Sequence, residues 1–362
     1  MTKLYGLKIS YFTGKMEGYL RYKEIPFEFC SMTATDFNRK IPDKTGAMQM
    51  PAIELADNRW MTDTSPMIDW FELQYPDNPI LPEDPSQAFI CRLIEDYADE
   101  WLWRPAMHYR WSYPASSKLL RRQIADEMAT DVKIPKWLVR MSIEKRQYFN
   151  FVIKDSVTKE NLDHVERGYL QLLKILSTIF KDRPFIFGDK PTLADIGLFG
   201  PLFRHFSQDP IPGEIMRETA PTVIEWVYRL WNAKASRLDG SQVSGIPENI
   251  LPLLQEVGQT HLENLCANAE AWSKRNTTFD VCIQGANYAN VPTSRYRVWC
   301  LEKLQQRFRC LDQSTQDILQ SLLEQHDCFE PLFRLTNTES GYDNHGTVPF
   351  GRSIPVYEHV RG

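Results

Sequence analysis

Residues 75–87 read YPDNPILPEDPSQ, and this stretch separates two kinds of sequence. Pro76, Pro79, Pro82 and Pro85 each fix φ and remove a backbone donor, so the segment forms neither a helix interior nor a central strand. It reads as an interdomain linker over residues 77–87. On its N-terminal side, short apolar runs predict strands at residues 3–9, 26–30 and 51–55. A fourth follows the Asp57-Asn58-Arg59 turn at 60–61, and helices are expected at 15–23 and 66–74. Strand–helix–strand followed by strand–strand–helix makes a compact α/β unit over residues 1–76.

On the C-terminal side the period becomes helical. Residues 87–111 and 161–180 are amphipathic, the second with Val165, Tyr169, Leu172, Leu173, Leu176 and Phe180 on one side. Further helices are expected at 193–206 and 221–231, giving a helical domain over 88–238. Residues 247–273 and 294–325 predict a helical extension over 239–335. Residues 336–362 have no apolar period and read as an extended tail, lying over the domain or partly disordered.

Lys and Arg number 42 against 47 Asp and Glu, with no long basic run, so nucleic acid is not the expected partner. No stretch approaches the roughly 18 apolar residues of a membrane span. The opening MTKLYGLKISYFTGK has no long apolar region or small-residue cleavage site, so it is not read as a signal peptide. Cys30, Cys91, Cys266, Cys282, Cys300, Cys310 and Cys328 are scattered, without a C-x-x-C pair, which points to a reduced cytoplasmic protein. Cys300, Cys310, His326 and Cys328 match no common zinc spacing, and no metal is expected.

Four segments carry more specific information. Residues 4–28, LYGLKISYFTGKMEGYLRYKEIPFE, place Ser10 and Tyr11 in a polar turn between a strand and a helix. Residues 46–55, GAMQMPAIEL, set Met50-Pro51 before a strand. Residues 59–76, RWMTDTSPMIDWFELQYP, put Asp63, Thr64 and Ser65 at a helix start, where such residues are ordinary caps and Pro66 suits a first turn. Residues 185–202, FIFGDKPTLADIGLFGPL, give Thr192 and Asp195 the spacing of a capping box.

In this order the four segments resemble the glutathione S-transferase superfamily, covering roughly residues 3–235. The following segment, 203–227, is similar to one bacterial branch. The resemblance implies a thioredoxin-like N-terminal domain and an all-helical C-terminal domain, here with extra C-terminal helices. It implies glutathione as co-substrate, a small apolar or aromatic electrophile as second substrate, a homodimer, and a detoxification role. Ser10 falls where serine-type members keep their catalytic serine, and Tyr11 lies close to the tyrosine of tyrosine-type members. A hydroxyl is needed there because a thiol of pKa near ~8.5 is mostly protonated at neutral pH. The Met50–Pro51 bond would be cis, leaving Met50's backbone groups to pair with the cysteinyl main chain as an added strand does. Asp63 would take the γ-glutamyl ammonium, and Thr64 its carboxylate at a helix N-terminus, with Ser65 sharing the contact.

The long helix of the second domain, EDYADEWLWRPAMHYRWSY, carries the expected electrophile pocket: Trp103, Arg104, Met107, His108 and Trp111. Pro105 should kink it near Trp101. The residues beyond 236 either pack on the second domain or roof the electrophile. Transferase, isomerase and lyase chemistry all use this half-site, and a non-catalytic binding or scaffold protein of the same fold is the alternative.

Overall fold

The computed structural model describes residues 1–351, so residues 352–362 of the expected tail lie outside it. The N-terminal unit contains β1 (Thr2–Gly6), α1 (Tyr11–Tyr22), β2 (Phe27–Ser31), α2 (Ile41–Thr45), β3 (Ala52–Glu54), β4 (Trp60–Thr62) and α3 (Thr64–Gln74). The sheet order is β2-β1-β3-β4, with β1 parallel to β2 and the other two pairs antiparallel. Parallel pairing of β1 and β2 requires a crossover, and α1 supplies it. The register places Ala52 opposite both Tyr5 and Thr62, so the paired part of β3 begins just after Pro51. The Met50–Pro51 peptide bond is cis, as the resemblance implies.

α1 begins at Tyr11, four residues before the position expected from periodicity, because Ser10 caps it: Ser10 Oγ accepts from Thr13 N–H at 3.4 Å. This helix is buried on nearly every side, between its own sheet and the helical domain. Gly14 and Gly18 make that approach possible. A Cβ on Gly18 would lie 2.7 Å from the Phe199 ring, and one on Gly14 would lie 2.3 Å from Arg204 Cγ.

The helical domain comprises α4 (Pro85–Glu100), α5 (Trp103–Trp111), α6 (Pro114–Met128), α7 (Lys136–Tyr148), α8 (Leu162–Asp182), α9 (Leu193–Pro201), α10 (Pro210–Thr219) and α11 (Pro221–Asn232). Where a kink was expected near Trp101, the helix divides outright into α4 and α5 at Trp101–Leu102, ahead of Pro105. Every residue of α9 is buried, and the capping box is present. Asp195 accepts from Thr192 N–H at 2.9 Å and also from Ile186 N–H and Trp226 Nε1 at 3.0 Å. One cap thus fastens three segments around the central helix.

The extension is not all helical. α12 (Leu251–Glu256) and α13 (Glu263–Ser273) are followed by a hairpin, β5 (Thr278–Ile283) and β6 (Ala286–Pro292), before α14 (Arg295–Arg309), α15 (Gln313–Gln325) and α16 (Phe329–Phe333). Its turn is Gln284-Gly285, at φ 49° and 82°, the two-residue left-handed geometry that suits a twisted hairpin. The extension shares one continuous apolar core with both domains, so it packs as part of the body. Residues 336–351 form turns laid against α14, β4 and α3.

Candidate functional site

A cavity of about 500 Å³ opens where the turn after β1, the turn before β3, the start of α3, α4, α5 and the first turn of α14 meet. Ser10, Tyr11, Met50, Pro51, Asp63 and Thr64 all line it, as do Trp103, Met107 and Trp111. Residues far apart in sequence are therefore brought to one concave site of ligand size.

Ser10 and Tyr11 differ in what their hydroxyls can do. Ser10 is half-buried at the N-cap of α1, where its oxygen accepts from Thr13 N–H and its own proton remains to be donated. That position lies at the positive end of the α1 dipole. Tyr11 is 1% exposed and its hydroxyl donates to the Ala98 carbonyl of α4. Burial, reinforced by the Asp99 carboxylate, holds its ionisation well above the ordinary phenol range. Its ring is packed among Phe12, Trp103 and His205.

Asp63 stands at the N-cap of α3 at φ 76° but does not cap it. Its Oδ1 accepts from Tyr296 Oη at 3.0 Å, and its Oδ2 is buried without a hydrogen-bond partner. Burial pushes its pKa up to about 7, with the Tyr296 hydrogen bond and Lys15 pulling the other way. An orphaned buried carboxylate oxygen beside a ligand-sized cavity fits an ammonium group. Thr64 is buried at the first position of α3 and faces the same cavity.

Ser65 is placed differently. It lies outside this cavity and bridges a buried ionic cluster: Lys15 Nζ donates to Ser65 Oγ at 3.2 Å, and Ser65 Oγ donates to Glu95 Oε1 at 2.6 Å. Lys15 itself pairs with Glu95 at 2.6 Å and Asp99 at 2.5 Å, with its side chain fully buried. Burial disfavours both charges, but Lys15 and then Arg92 hold Glu95 down to about 2. Sequence reasoning missed this cluster, since a lysine one turn into a helix ordinarily reads as solvated.

The apolar end of the cavity is built on α5. Trp103 stacks on Phe12 at 5.7 Å and meets Phe151 edge-on at 5.2 Å, while Met107, Trp111, Ile124 and Met128 continue the wall. Arg104 and His108, expected in this pocket, point elsewhere. The guanidinium of Arg104 is sandwiched between the rings of Trp101 and Tyr288, and its Nε donates to Asp155 O at 3.1 Å. It fastens the β5–β6 hairpin to the helical domain. His108 bonds Glu166 and Ser112 at 2.9 Å, toward α8 and its own helix end. On a helix packed from several directions, α-spacing gives no rule for which face is hollow. Arg110 does line the cavity, with its charge already paired to Asp209 at 2.7 Å.

Among the described residues no group of three or more His, Cys, Asp or Glu side chains is arranged to hold a metal ion. Among them, too, no helix is long and apolar enough to cross a membrane.

Two separate stretches of the chain match known families. Residues 4–79 match the family model described as glutathione S-transferase, N-terminal domain, and residues 140–233 match glutathione S-transferase, C-terminal domain. Among curated proteins, glutathione S-transferase U7 of Arabidopsis thaliana is 24% identical over 105 residues, or 29% of this chain and 46% of that protein. The alignment thus spans under half of that relative's length. Among solved structures, a glutathione S-transferase from Rhodospirillum rubrum F11 is 19% identical, covering 68% of this chain and 97% of that one at a TM-score of 0.43. The beta-etherase LigF of Sphingobium sp. strain SYK-6 is also 19% identical, covering 63% and 94% at a TM-score of 0.45.

Proposed function

The chain belongs to the glutathione S-transferase superfamily, and on that premise we propose that it is a glutathione-dependent transferase acting on a small apolar or aromatic electrophile. The observation that carries the proposal is the meeting of Ser10, the Met50–Pro51 turn, Asp63 and Thr64 at one cavity whose other end is aromatic. Glutathione supplies the nucleophilic sulfur. Ser10 donates its hydroxyl proton to that sulfur at the α1 N-terminus, which favours the thiolate. The Tyr11 hydroxyl is engaged as donor to Ala98 O, and its ring serves as packing. Asp63 takes the γ-glutamyl ammonium through its carboxylate, and Thr64 holds the neighbouring carboxylate at the start of α3. Met50, just ahead of the paired residues of β3, offers its backbone groups to the cysteinyl main chain.

Trp103, Met107 and Trp111 exclude water from the electrophile, which raises the reactivity of the thiolate beside them. Seven unpaired cysteines fit a reducing, cytoplasmic setting, and a homodimer is the assembly that the family implies. Addition, substitution, isomerisation and lyase chemistry all begin with this thiolate.

The test compares Ser10→Ala with Tyr11→Phe for turnover of an activated aryl halide with glutathione. Ser10→Ala should lower kcat/KM by about 10²-fold, the usual worth of one positioned proton donor. Tyr11→Phe should leave it unchanged. Equal activity in both variants removes Ser10 from the mechanism, and retention of glutathione without turnover marks a binding protein.

A further inference from the structure

The extension reaches the site at its charged end rather than roofing the aromatic one. Tyr296, in the first turn of α14, donates to Asp63 across 233 residues of sequence. Its ring is bracketed by Trp299 at 5.5 Å and Tyr342 at 5.3 Å. Tyr342 belongs to a segment that Arg295 holds through the carbonyls of Ser340, at 2.5 Å, and Gly341. Farther on, Pro349 O accepts from Thr62 N–H at 3.4 Å, one residue before Asp63, and Phe350 sits edge-on to Trp70 of α3 at 5.5 Å. The tail therefore covers β4 and α3 from outside, while α14 supports Asp63 from its own side.

We propose that the extension is an integral part of the tripeptide half-site, with Tyr296 as the positioning residue that fixes the Asp63 carboxylate for a ligand ammonium. The inference rests on the glutathione reading above and adds a residue from beyond both family domains, whose matched region ends at residue 233. Asp63 makes no cap to its own helix, so the Tyr296 hydroxyl is what selects its orientation. The hydroxyl also favours the ionised carboxylate, acting with Lys15 of α1 and against burial and the Glu95 and Glu100 charges of α4.

The test is calorimetric binding of glutathione, and of its analogue lacking the α-amino group, to the full chain and to Tyr296→Phe. Phenylalanine keeps the ring in its bracket and removes only the hydroxyl. Loss of a hydrogen bond to a charged group should weaken glutathione by about tenfold or more. The deaminated analogue should bind both proteins equally. The fall in glutathione affinity toward acid should begin at a higher pH in Tyr296→Phe, because Asp63 then protonates more readily; a purely structural role would not move this midpoint. In an Asp63→Asn background the same substitution should have no further effect, which keeps the test meaningful if either single variant is less stable. Wild type that fails to bind glutathione removes the parent reading and this inference together. Wild type that binds, with Tyr296→Phe equal or tighter, overturns the positioning role alone.

Discussion

Lys15→Met removes the cation at the centre of the contact between α1 and α4. In the native protein its ammonium lies 2.6 Å from Glu95 and 2.5 Å from Asp99, with no solvent exposure of the lysine side chain. Taking one partner from a buried ion pair costs about 3–5 kcal/mol, because the remaining charge stays desolvated. Of the two carboxylates, Lys15 holds Glu95 ionised, while burial and the Glu95 charge raise Asp99 well above the ordinary carboxylate range. Differential scanning calorimetry should therefore show a fall of about 5 °C in Tm at neutral pH, given the unfolding entropy of a chain of this size.

The pH dependence gives the signature of the mechanism. In wild type the depressed Glu95 contributes stability that is present above pH 4.5 and is lost as pH falls through about 2. Without Lys15 the sign reverses: burial pushes Glu95 up, and the variant loses stability as pH rises above the unfolded value. The deficit should be largest at neutral pH, smaller in mild acid, and partly restored by adding Glu95→Gln. A deficit below about 1 kcal/mol, or one that does not shrink in acid, would refute the ion-pair account.

Two further outcomes follow from packing. Tyr11→Phe should destabilise the fold by about 1–2 kcal/mol in urea titration, because the Ala98 carbonyl loses its buried donor. Gly18→Ala should cost about 1–3 kcal/mol, since the new Cβ would lie 2.7 Å from Phe199 and push α1 away from α9; an unchanged urea midpoint would show that the ring yields freely.

The parts of the fold legible in the sequence were those set by local chemistry. Four spaced prolines marked a segment between helices, now seen between α3 and α4, Pro51 marked the start of a strand, and Thr192 with Asp195 announced a helix that the structure places at the centre of the core. The β5–β6 hairpin was hidden by its polar, Asn-containing composition, although Gln284-Gly285 between short alternating runs was a usable turn signal. The observed α1 starts before the expected one because Gly14 lowers helix propensity ahead of residue 15, and the use of Gly14 and Gly18 shows only where Arg204 and Phe199 pack against them.

The candidate site divides along the same line. Ser10 and Tyr11 could not be separated from their neighbours in sequence, because the Ala98 carbonyl that occupies Tyr11 is 87 residues away. Arg104 and His108 had the right spacing for a pocket, but the hairpin and α8 took them. Tyr296 lies in a segment whose sequence predicts only a helix. Its bond to Asp63 depends on how the extension folds back, which no local pattern encodes.

The most direct measurement is the ultraviolet thiolate titration of glutathione bound to the full chain, with Ser10→Ala measured beside it. A sulfur held by Ser10 at the α1 N-terminus should titrate well below the free-thiol value of about 8.5, and Ser10→Ala should return it toward that value. A bound thiol that titrates like free glutathione in wild type would contradict thiolate activation at this site.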